Sequence, residues 1–229
     1  MTADSPLRLV VFDVDGTLVD SQAHILGAMA RAYDALGLEA PSRDAVLGIV
    51  GLSLPVAMER LSPDIEPDRR VALVEAYKDS FSSIRQTGAP ERMSPLYPGA
   101  RDVVDMLLGR DDLMVGLATG KSRRGLDHLL AAHGLTGAFA TEQVADHHPS
   151  KPHPSMLLTA LVETGAEARD AVMIGDTTFD IEMGRAAGFE TIGVSWGYHP
   201  AQDLLRAGAG AVIDRYEDLP AAIERLWEA

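Results

Sequence analysis

Two aspartates at the end of an apolar segment are the first residues in this sequence whose types and spacing suit chemistry. Asp13 and Asp15 follow the apolar run 10–12 and precede Gly16. Side chains two residues apart on an extended strand point the same way, so we expect the two carboxylates to share a site at the strand's carboxyl end. Parallel sheets bind ligands at such ends. The alternative is an acidic turn in which one aspartate pairs with Gly16 and the other caps a helix.

A second acidic segment repeats this arrangement nearer the C-terminus, where Asp176 follows another apolar run and precedes a helical pattern. If the two strands are neighbours, Asp13, Asp15 and Asp176 converge. Two like charges ~4 Å apart then cost about 4 kcal/mol at an effective dielectric constant of ~20. A hard divalent cation relieves that repulsion, and carboxylate oxygens and water suit magnesium. Thr177 and Asp180 also match a helix capping box, so a capping role and a functional role both stay open for Asp180.

A hydroxyl-bearing turn follows a third apolar run. Thr119 and Gly120 come directly after residues 113–118, which places a hydroxyl and free backbone amides at the same edge of the sheet. The segment is not a phosphate-binding P-loop, because Val115 stands where the first glycine of that motif is required. A phosphate contact by Thr119 and a helix cap made by Thr119 or Ser122 are both compatible with the pattern.

The charge of the chain limits its partners. The formal net charge is −14 and there are only three lysines. No basic patch is present, which argues against a nucleic-acid partner, because such binding depends on clustered lysine and arginine. A phosphorylated substrate must therefore be attracted by a local charge. Lys151, in the proline-rich loop 149–154, supplies one beside a strand end, although a solvated surface position is the usual fate of a lysine.

The chain contains no cysteine, which excludes disulfides, thiolate metal sites and a cysteine nucleophile. Residues 1–9 lack the apolar core of a signal peptide, and no apolar run reaches membrane-spanning length. We therefore expect a cytoplasmic protein with no membrane partner. His147, His148 and His153 cluster in one loop, but no obvious fourth ligand completes a transition-metal site. No pattern specifies an oligomeric state.

A sheet must position these residues, and short runs rich in valine and isoleucine indicate its strands. The runs cover residues 7–12, 113–118, 171–174, 191–194 and 211–213, with a weaker one at 139–144. Such runs are typical of strands buried on both faces. Helical patterns lie between most of them, and strand alternating with helix predicts an α/β fold with a doubly wound parallel sheet.

One stretch, residues 21–92, interrupts this alternation with helical periodicity and no convincing strand. A first helix there buries a face that includes Ile25, Met29 and Tyr33. A second helix over residues 69–84 presents one face made of Val71, Val74, Tyr77 and Phe81. The stretch is predicted to be an inserted helical cap over residues 19–95, with residues 1–18 and 96–229 forming the catalytic α/β core.

Taken together and in order, these segments resemble the haloacid dehalogenase superfamily of phosphohydrolases. Residues 13–21 are similar to the first motif of that family, Thr119 to the second, Lys151 to the third, and Asp176 with Asp180 to the fourth. The helical cap between the first and second motifs, and the Trp-Gly-Tyr segment 196–198, resemble the subclass that includes phosphoglycolate phosphatases. Gly120 departs from the pattern, because the family often has asparagine there.

The resemblance implies roles for the two aspartates of the first motif. Asp13 is expected to attack phosphorus and form an aspartyl-phosphate, and Asp15 to protonate the departing alcohol and then activate water. The implied cofactor is Mg²⁺, held by Asp13, the backbone carbonyl of Asp15, and Asp176.

The resemblance also implies how the phosphoryl group is held. Its oxygens would be bound by Lys151, Thr119 and the adjacent Gly120, with Asp180 supporting Lys151 or the metal. The implied substrate is a small phosphorylated metabolite, with phosphoglycolate as the first candidate.

Other activities on the same fold stay open to different degrees. A hydrolytic dehalogenase is disfavoured because that branch needs neither Asp15 nor a metal. A phosphonate hydrolase would require a cap lysine, for which Lys78 is the only candidate. A sugar phosphomutase is harder to exclude, because the cap arginines, which include Arg43, Arg60 and Arg85, could hold a second phosphate. A phospho-accepting regulatory module is the hypothesis from a different class, and the helical insertion argues against it.

Overall fold

The computed structural model of this chain describes residues 7–87 and 94–228, with side chains described for residues 7–84 and 94–228. Residues 1–6, which belong to the segment used to predict the localisation, lie outside the described residues. So do Arg92, at the end of the predicted helical stretch, and the side chain of Arg85.

A central sheet carries the fold. Its strands are β1 (Arg8–Phe12), β2 (Leu113–Thr119), β3 (Thr141–Val144), β4 (Ala171–Gly175), β5 (Glu190–Val194) and β6 (Ala211–Ile213). They form one six-stranded sheet in the order β3-β2-β1-β4-β5-β6. All neighbouring strands are parallel. The predicted doubly wound parallel sheet is confirmed, and its strand order reverses between β1 and β4, where α/β proteins of this type bind ligands.

Helices cover both faces of this sheet. In chain order the helices are α1 (Gln22–Ala35), α2 (Arg43–Leu47), α3 (Leu54–Leu61), α4 (Pro67–Thr87), α5 (Ala100–Leu108), α6 (Arg123–Ala132), α7 (Ser155–Thr164), α8 (Thr178–Ala187), α9 (Ala201–Ala207) and α10 (Leu219–Trp227). Val10 and Phe12 of β1 pack on one face against α5, α6 and α10. Leu9 and Val11 pack on the other face against α7 and α8. Because both faces of β1 are buried, its sequence is an uninterrupted apolar run.

The helices α1–α4 all lie between β1 and β2, and we call them, with their connecting loops, the cap. Their hydrophobic cluster includes Ile25, Met29, Tyr33 and Leu73. The predicted face of α4 is wrong at Val71, which is 63% exposed, whereas Leu73 is fully buried. The helix turns Leu73 and Val74 towards α1, its main packing partner. Whether residues 19–95 form a separate domain stays a prediction.

The two chain segments that join the cap to the core run side by side. Asp20 N–H donates to the Pro95 carbonyl (2.8 Å), and Tyr97 N–H donates to the Leu18 carbonyl (3.0 Å). Val19 and Leu96 form an antiparallel bridge between these two bonds. The cap therefore enters and leaves the core through a hydrogen-bonded neck.

No helix in the described ranges is both long and apolar enough to cross a membrane. The helix α4 reaches 21 residues, but charged side chains are spread along it.

Candidate active site

Three loops meet at the carboxyl edge of the sheet because β1 lies between β2 and β4. Phe12 is in register with Leu117 of β2 and with Ile174 of β4. Asp13 continues from β1, and its N–H donates to the Ile174 carbonyl (2.8 Å). The segments that follow these strands therefore bring Asp13, Thr119 and Asp176 to the same edge of the sheet.

Asp13 is buried against a lysine. The Nζ of Lys151 lies 2.5 Å from Asp13 Oδ1 and 2.7 Å from Asp180 Oδ1, and the Lys151 side chain is fully buried. Burial raises the pKa of Asp13 to about 7 against the opposing effect of the lysine. Burial alone would lower the pKa of Lys151, but the Asp13 and Asp180 carboxylates outweigh it and raise that pKa. Lys151 is therefore buried in the site, and the alternative of a solvated surface lysine is wrong.

Asp180 fulfils both of the roles that the sequence left open. Its Oδ2 accepts hydrogen bonds from Thr177 N–H (3.0 Å) and Thr177 Oγ1 (2.7 Å), which completes the capping box of α8. Its Oδ1 faces Lys151. A Cβ on Gly175 would collide with the Asp180 side chain, so the last residue of β4 must be a glycine for this packing.

Asp176 is enclosed by its partners. Its Oδ1 accepts from Thr17 Oγ1 (2.9 Å) and its Oδ2 from Tyr198 N–H (2.8 Å). Burial, followed by the charges of Asp13 and Asp180, raises its pKa well above the usual range. A Cβ on Gly197 would also collide with Asp176. The sequence pattern did not reveal Thr17 as a partner of this aspartate, although it follows Gly16 in the first motif.

The acidic side chains form a cluster with an excess of negative charge. In the described residues, one group of three such side chains, Asp13, Asp176 and Asp180, brings its ligand atoms within 4.8 Å of one another. Lys151 supplies one positive charge against three carboxylates. Asp13 Oδ2 is buried and has no hydrogen-bond partner among the described atoms. An orphaned carboxylate oxygen in an acidic cluster fits a hard divalent cation such as Mg²⁺.

The histidine-rich loop does not join this cluster. His148 lies within hydrogen-bond distance of Gln143 Oε1 and Ser155 Oγ (2.9 Å each). His153 Nδ1 accepts from Ser155 N–H (3.2 Å). These contacts account for the two histidines as parts of a packed loop.

Asp15 has partners different from those of Asp13. Its Oδ2 lies 2.8 Å from Lys121 Nζ, and its Oδ1 accepts a hydrogen bond from Ser21 Oγ. Its side chain is not part of the acidic cluster. Sequence reasoning assigned no role to Lys121 or Ser21. One sequence feature could have pointed to Lys121 as a site residue: it is one of only three lysines and lies two residues after Thr119.

The turn after β2 is packed against the cap. Ser122, not Thr119, caps α6, since its Oγ accepts from Gly125 N–H (3.2 Å). Thr119 is buried at the turn and accepts from Lys121 N–H (3.2 Å). A Cβ on Gly120 would lie 2.6 Å from the Gly51 carbonyl oxygen of the cap. The glycine at this position is therefore required by the closeness of the cap loop 48–53.

A cavity of about 590 Å³ lies between the core and the cap. Asp13, Asp15, Thr119 and Gly120 line its core side. The cap loop closes over it, and Ser53 N–H donates to Ser150 Oγ (2.8 Å) beside Lys151. Although Asp13 and Asp15 differ in their partners, both residues line this one cavity.

A family model for haloacid dehalogenase-like hydrolases matches residues 10–194. The chain belongs to the haloacid dehalogenase-like hydrolase family. The match covers all of the segments that meet at the cavity, from β1 to β5.

Named relatives of this hydrolase include phosphatases. A probable phosphatase, IndB, of Dickeya dadantii is 34% identical over 95% of this chain and 94% of that protein. A phosphoglycolate phosphatase of Vibrio parahaemolyticus is 28% identical over 93% of this chain and 94% of that protein. A hydrolase from Pseudomonas syringae of known crystal structure shares the fold, with a TM-score of 0.82 at 23% identity over 95% of this chain and 98% of that chain. The predicted family and the prediction of a phosphoric monoester hydrolase are thus confirmed.

Proposed function

We propose that this hydrolase cleaves the phosphomonoester of a small metabolite through an aspartyl-phosphate on Asp13. The observation that carries the proposal is the buried, unpartnered Oδ2 of Asp13, which belongs to a carboxylate that lines the cavity and is oriented by Lys151. A carboxylate with one oxygen held and the other free of hydrogen bonds is suited to nucleophilic attack.

Asp13 and Asp15 divide the chemistry between them. A carboxylate oxygen of Asp13 forms a bond to phosphorus while the ester P–O bond breaks, and Asp15 gives a proton to the departing alcohol oxygen. Asp15 then takes a proton from water, whose oxygen attacks the aspartyl-phosphate. Phosphate leaves and the Asp13 carboxylate is restored. The separate partners of the two side chains support separate roles.

The proposed cofactor is Mg²⁺, held by Asp13, the backbone carbonyl of Asp15, and Asp176. When bound, it offsets the repulsion between the carboxylates and an anionic phosphate. Thr17 and Tyr198 N–H each hold one oxygen of Asp176, which fixes the orientation of that carboxylate.

The phosphoryl oxygens are proposed to bind Lys151, Thr119 and the backbone N–H of Gly120. Asp180 acts as a positioning residue, because it holds Lys151 through Oδ1 while its other oxygen is fixed at the start of α8. The cap excludes water from the site when it lies against the turn after β2.

The alternatives gain no specific support from the cavity. Neither Arg43 nor Arg60 lines it, so these two arginines do not supply the second phosphate site that a sugar phosphomutase needs. Lys78 is more than half exposed and paired with Glu75 (2.6 Å), unlike the shielded amine that a phosphonate hydrolase requires. A cytoplasmic location and the lack of a nucleic-acid or membrane partner stay predictions from the sequence.

The direct test is release of inorganic phosphate from a panel of phosphorylated metabolites, including phosphoglycolate, with and without Mg²⁺. We expect repeated turnover that depends on Mg²⁺ and falls at least about 1,000-fold in Asp13→Asn. Full turnover by Asp13→Asn would show that the nucleophile is assigned wrongly. A single stoichiometric phosphorylation without turnover would instead support the regulatory module.

A further inference from the structure

The cap side of the active-site cavity is apolar. Helices α1, α3 and α4 and the loop 48–53 all contribute aliphatic or aromatic side chains to it. Among the lining residues are Ile25, Met29, Val50, Leu52, Leu54 and Phe81. The phosphate site lies at the opposite, core side, so the group attached to the phosphate must face this apolar wall.

The cap wall lacks a cation suited to a second anionic group. Lys78 is the charged residue among the cap residues described as lining the cavity, and Glu75 already pairs with it. On the core side, Lys121 is held by Asp15. A carboxylate placed against the cap would lose its hydration without gaining an opposite charge, which is unfavourable.

The cavity is also larger than a two-carbon leaving group needs. Its volume of about 590 Å³ lies in the range of pockets that enclose drug-sized ligands. Helix α4 contributes Tyr77, Lys78, Phe81 and Ser82 to its lining, so the cap side carries a few polar groups among mostly apolar side chains. A mostly apolar wall suits a ring-sized group that carries few polar atoms.

We infer that the substrate is a phosphomonoester whose leaving alcohol carries an apolar, ring-sized group, bound by the cap wall, rather than a short carboxylate such as phosphoglycolate. The inference rests on the proposed phosphatase function and concerns the same site. The competing explanation is Arg124, an exposed core residue at the cavity, which would bind a substrate carboxylate instead.

A pair of substrates separates the two explanations. 2-Phenylethyl phosphate and ethyl phosphate both release primary alcohols of similar acidity, so their intrinsic reactivities are comparable. We expect kcat/KM with Mg²⁺ to be at least about tenfold higher for 2-phenylethyl phosphate than for ethyl phosphate and for phosphoglycolate. Phosphoglycolate as the best of the three, with that preference lost in Arg124→Gln, would overturn the inference and leave the phosphatase function standing.

Variants of the wall test the same point. Leu54→Ala should lower kcat/KM for 2-phenylethyl phosphate by about tenfold and change that for ethyl phosphate by less than about twofold. Phe81→Ala should lower kcat/KM for both esters, because Phe81 also contacts Lys121, but the loss should be several-fold larger for 2-phenylethyl phosphate. Val71→Ala is the matched control, because Val71 lies on the same helix as Phe81 but is exposed and outside the cavity. Equal losses for both esters in the wall variants would contradict the inference.

Binding separates a failure of this inference from a failure of the proposed function. The non-hydrolysable 2-phenylethylphosphonate and ethylphosphonate can be compared by calorimetry in the presence of Mg²⁺. Tighter binding of the phenyl compound with no ester hydrolysed would leave the ligand class supported and the phosphatase proposal wrong. Equal binding of both phosphonates would overturn the ligand class, whatever the turnover.

Discussion

Lys121 contacts both Asp15 and the cap. Its Nζ lies 2.8 Å from Asp15 Oδ2 and 5.4 Å from the centre of the Phe81 ring, which belongs to α4. Asp15 lies after β1, and Lys121 follows β2. One side chain therefore links the proposed acid and base to the wall that faces the leaving group.

The role of Asp15 predicts a loss that depends on the leaving group. Asp15→Ala should lower kcat/KM by about 100-fold to 10,000-fold for alkyl phosphates, because their alcohols need a proton as they depart and kcat/KM reports this step without the later attack of water. The loss should be much smaller for p-nitrophenyl phosphate, whose phenolate leaves unprotonated. Steady-state kinetics with both esters measures the difference. Asp20→Ala is the control, since Asp20 lies in the neck and does not line the active-site cavity. The same loss for both esters would argue against proton donation by Asp15.

Removing the buried lysine should destabilise the fold. Lys151→Met leaves Asp13 and Asp180 without their shared cation, and breaking a buried ion pair in this way costs about 3–5 kcal/mol. Denaturant unfolding measures the loss, and added Mg²⁺ should recover part of it. Lys78→Met is the matched control, because the exposed Lys78–Glu75 pair contributes at most about 1 kcal/mol. Similar losses in the two variants would contradict the structural importance of Lys151.

Mg²⁺ binding should strengthen as the pH rises towards neutrality. In the absence of metal the pKa of Asp13 is raised to about 7, so below that pH the carboxyl holds a proton that it must release to bind the cation. We expect the Asp13 proton to lower Kd by up to about tenfold per pH unit between pH 5.5 and 7 and to have no further effect above that range. The pKa of Asp176 is raised as well, so the release of its proton adds to the fall in Kd. Calorimetry in buffers of different ionisation enthalpy detects the released proton. In Asp13→Asn the binding should be weak, and the part of the pH dependence due to Asp13 should disappear. A wild-type Kd that does not change with pH would rule out the raised pKa.

The glycine after Thr119 should control how closely the cap approaches. In Gly120→Asn the new Cβ would lie 2.6 Å from the Gly51 carbonyl oxygen, so the cap loop must move away. A displacement of about 1 Å in a substrate-positioning element can reduce kcat/KM by about 100-fold, and we expect a loss of that order with little change in Tm. Gly109→Ala, at the end of α5 with ordinary contacts, is the control. Unchanged kinetics in Gly120→Asn would show that this contact is not needed in the catalytic cycle.

The strands could be predicted well because β1, β2 and β4 are buried on both faces. Their residues form continuous apolar runs, and the aspartates that follow β1 and β4 interrupt those runs visibly. The observed bounds of β1 and β4 differ from the predicted ones by one residue each. Parallel strand ends lie at one edge of a sheet, so the meeting of Asp13 and Asp176 also followed from the pattern.

The partners of each carboxylate could not be predicted in the same way. Ser21 and Lys121 reach Asp15 from loops that have no periodic pattern, and the loop geometry decides which side chain arrives. The contact of Gly120 with Gly51 joins core and cap residues that are far apart in sequence. The error at Val71 has a related cause, because a long helix with apolar residues on two faces does not specify which face its neighbour covers.

The hydrogen-bonded neck at Val19 and Leu96 suggests how the cap of such an enzyme could be exchanged during evolution. Since its two segments are already hydrogen-bonded to each other, a connection of a few residues between them would close the core without rethreading the sheet. On the prediction that residues 19–95 form a separate domain, exchange of the cap would leave the path from β1 to β2 intact. Together with the inferred role of the cap wall, this connection predicts that selectivity for new leaving groups evolves by exchange of the cap.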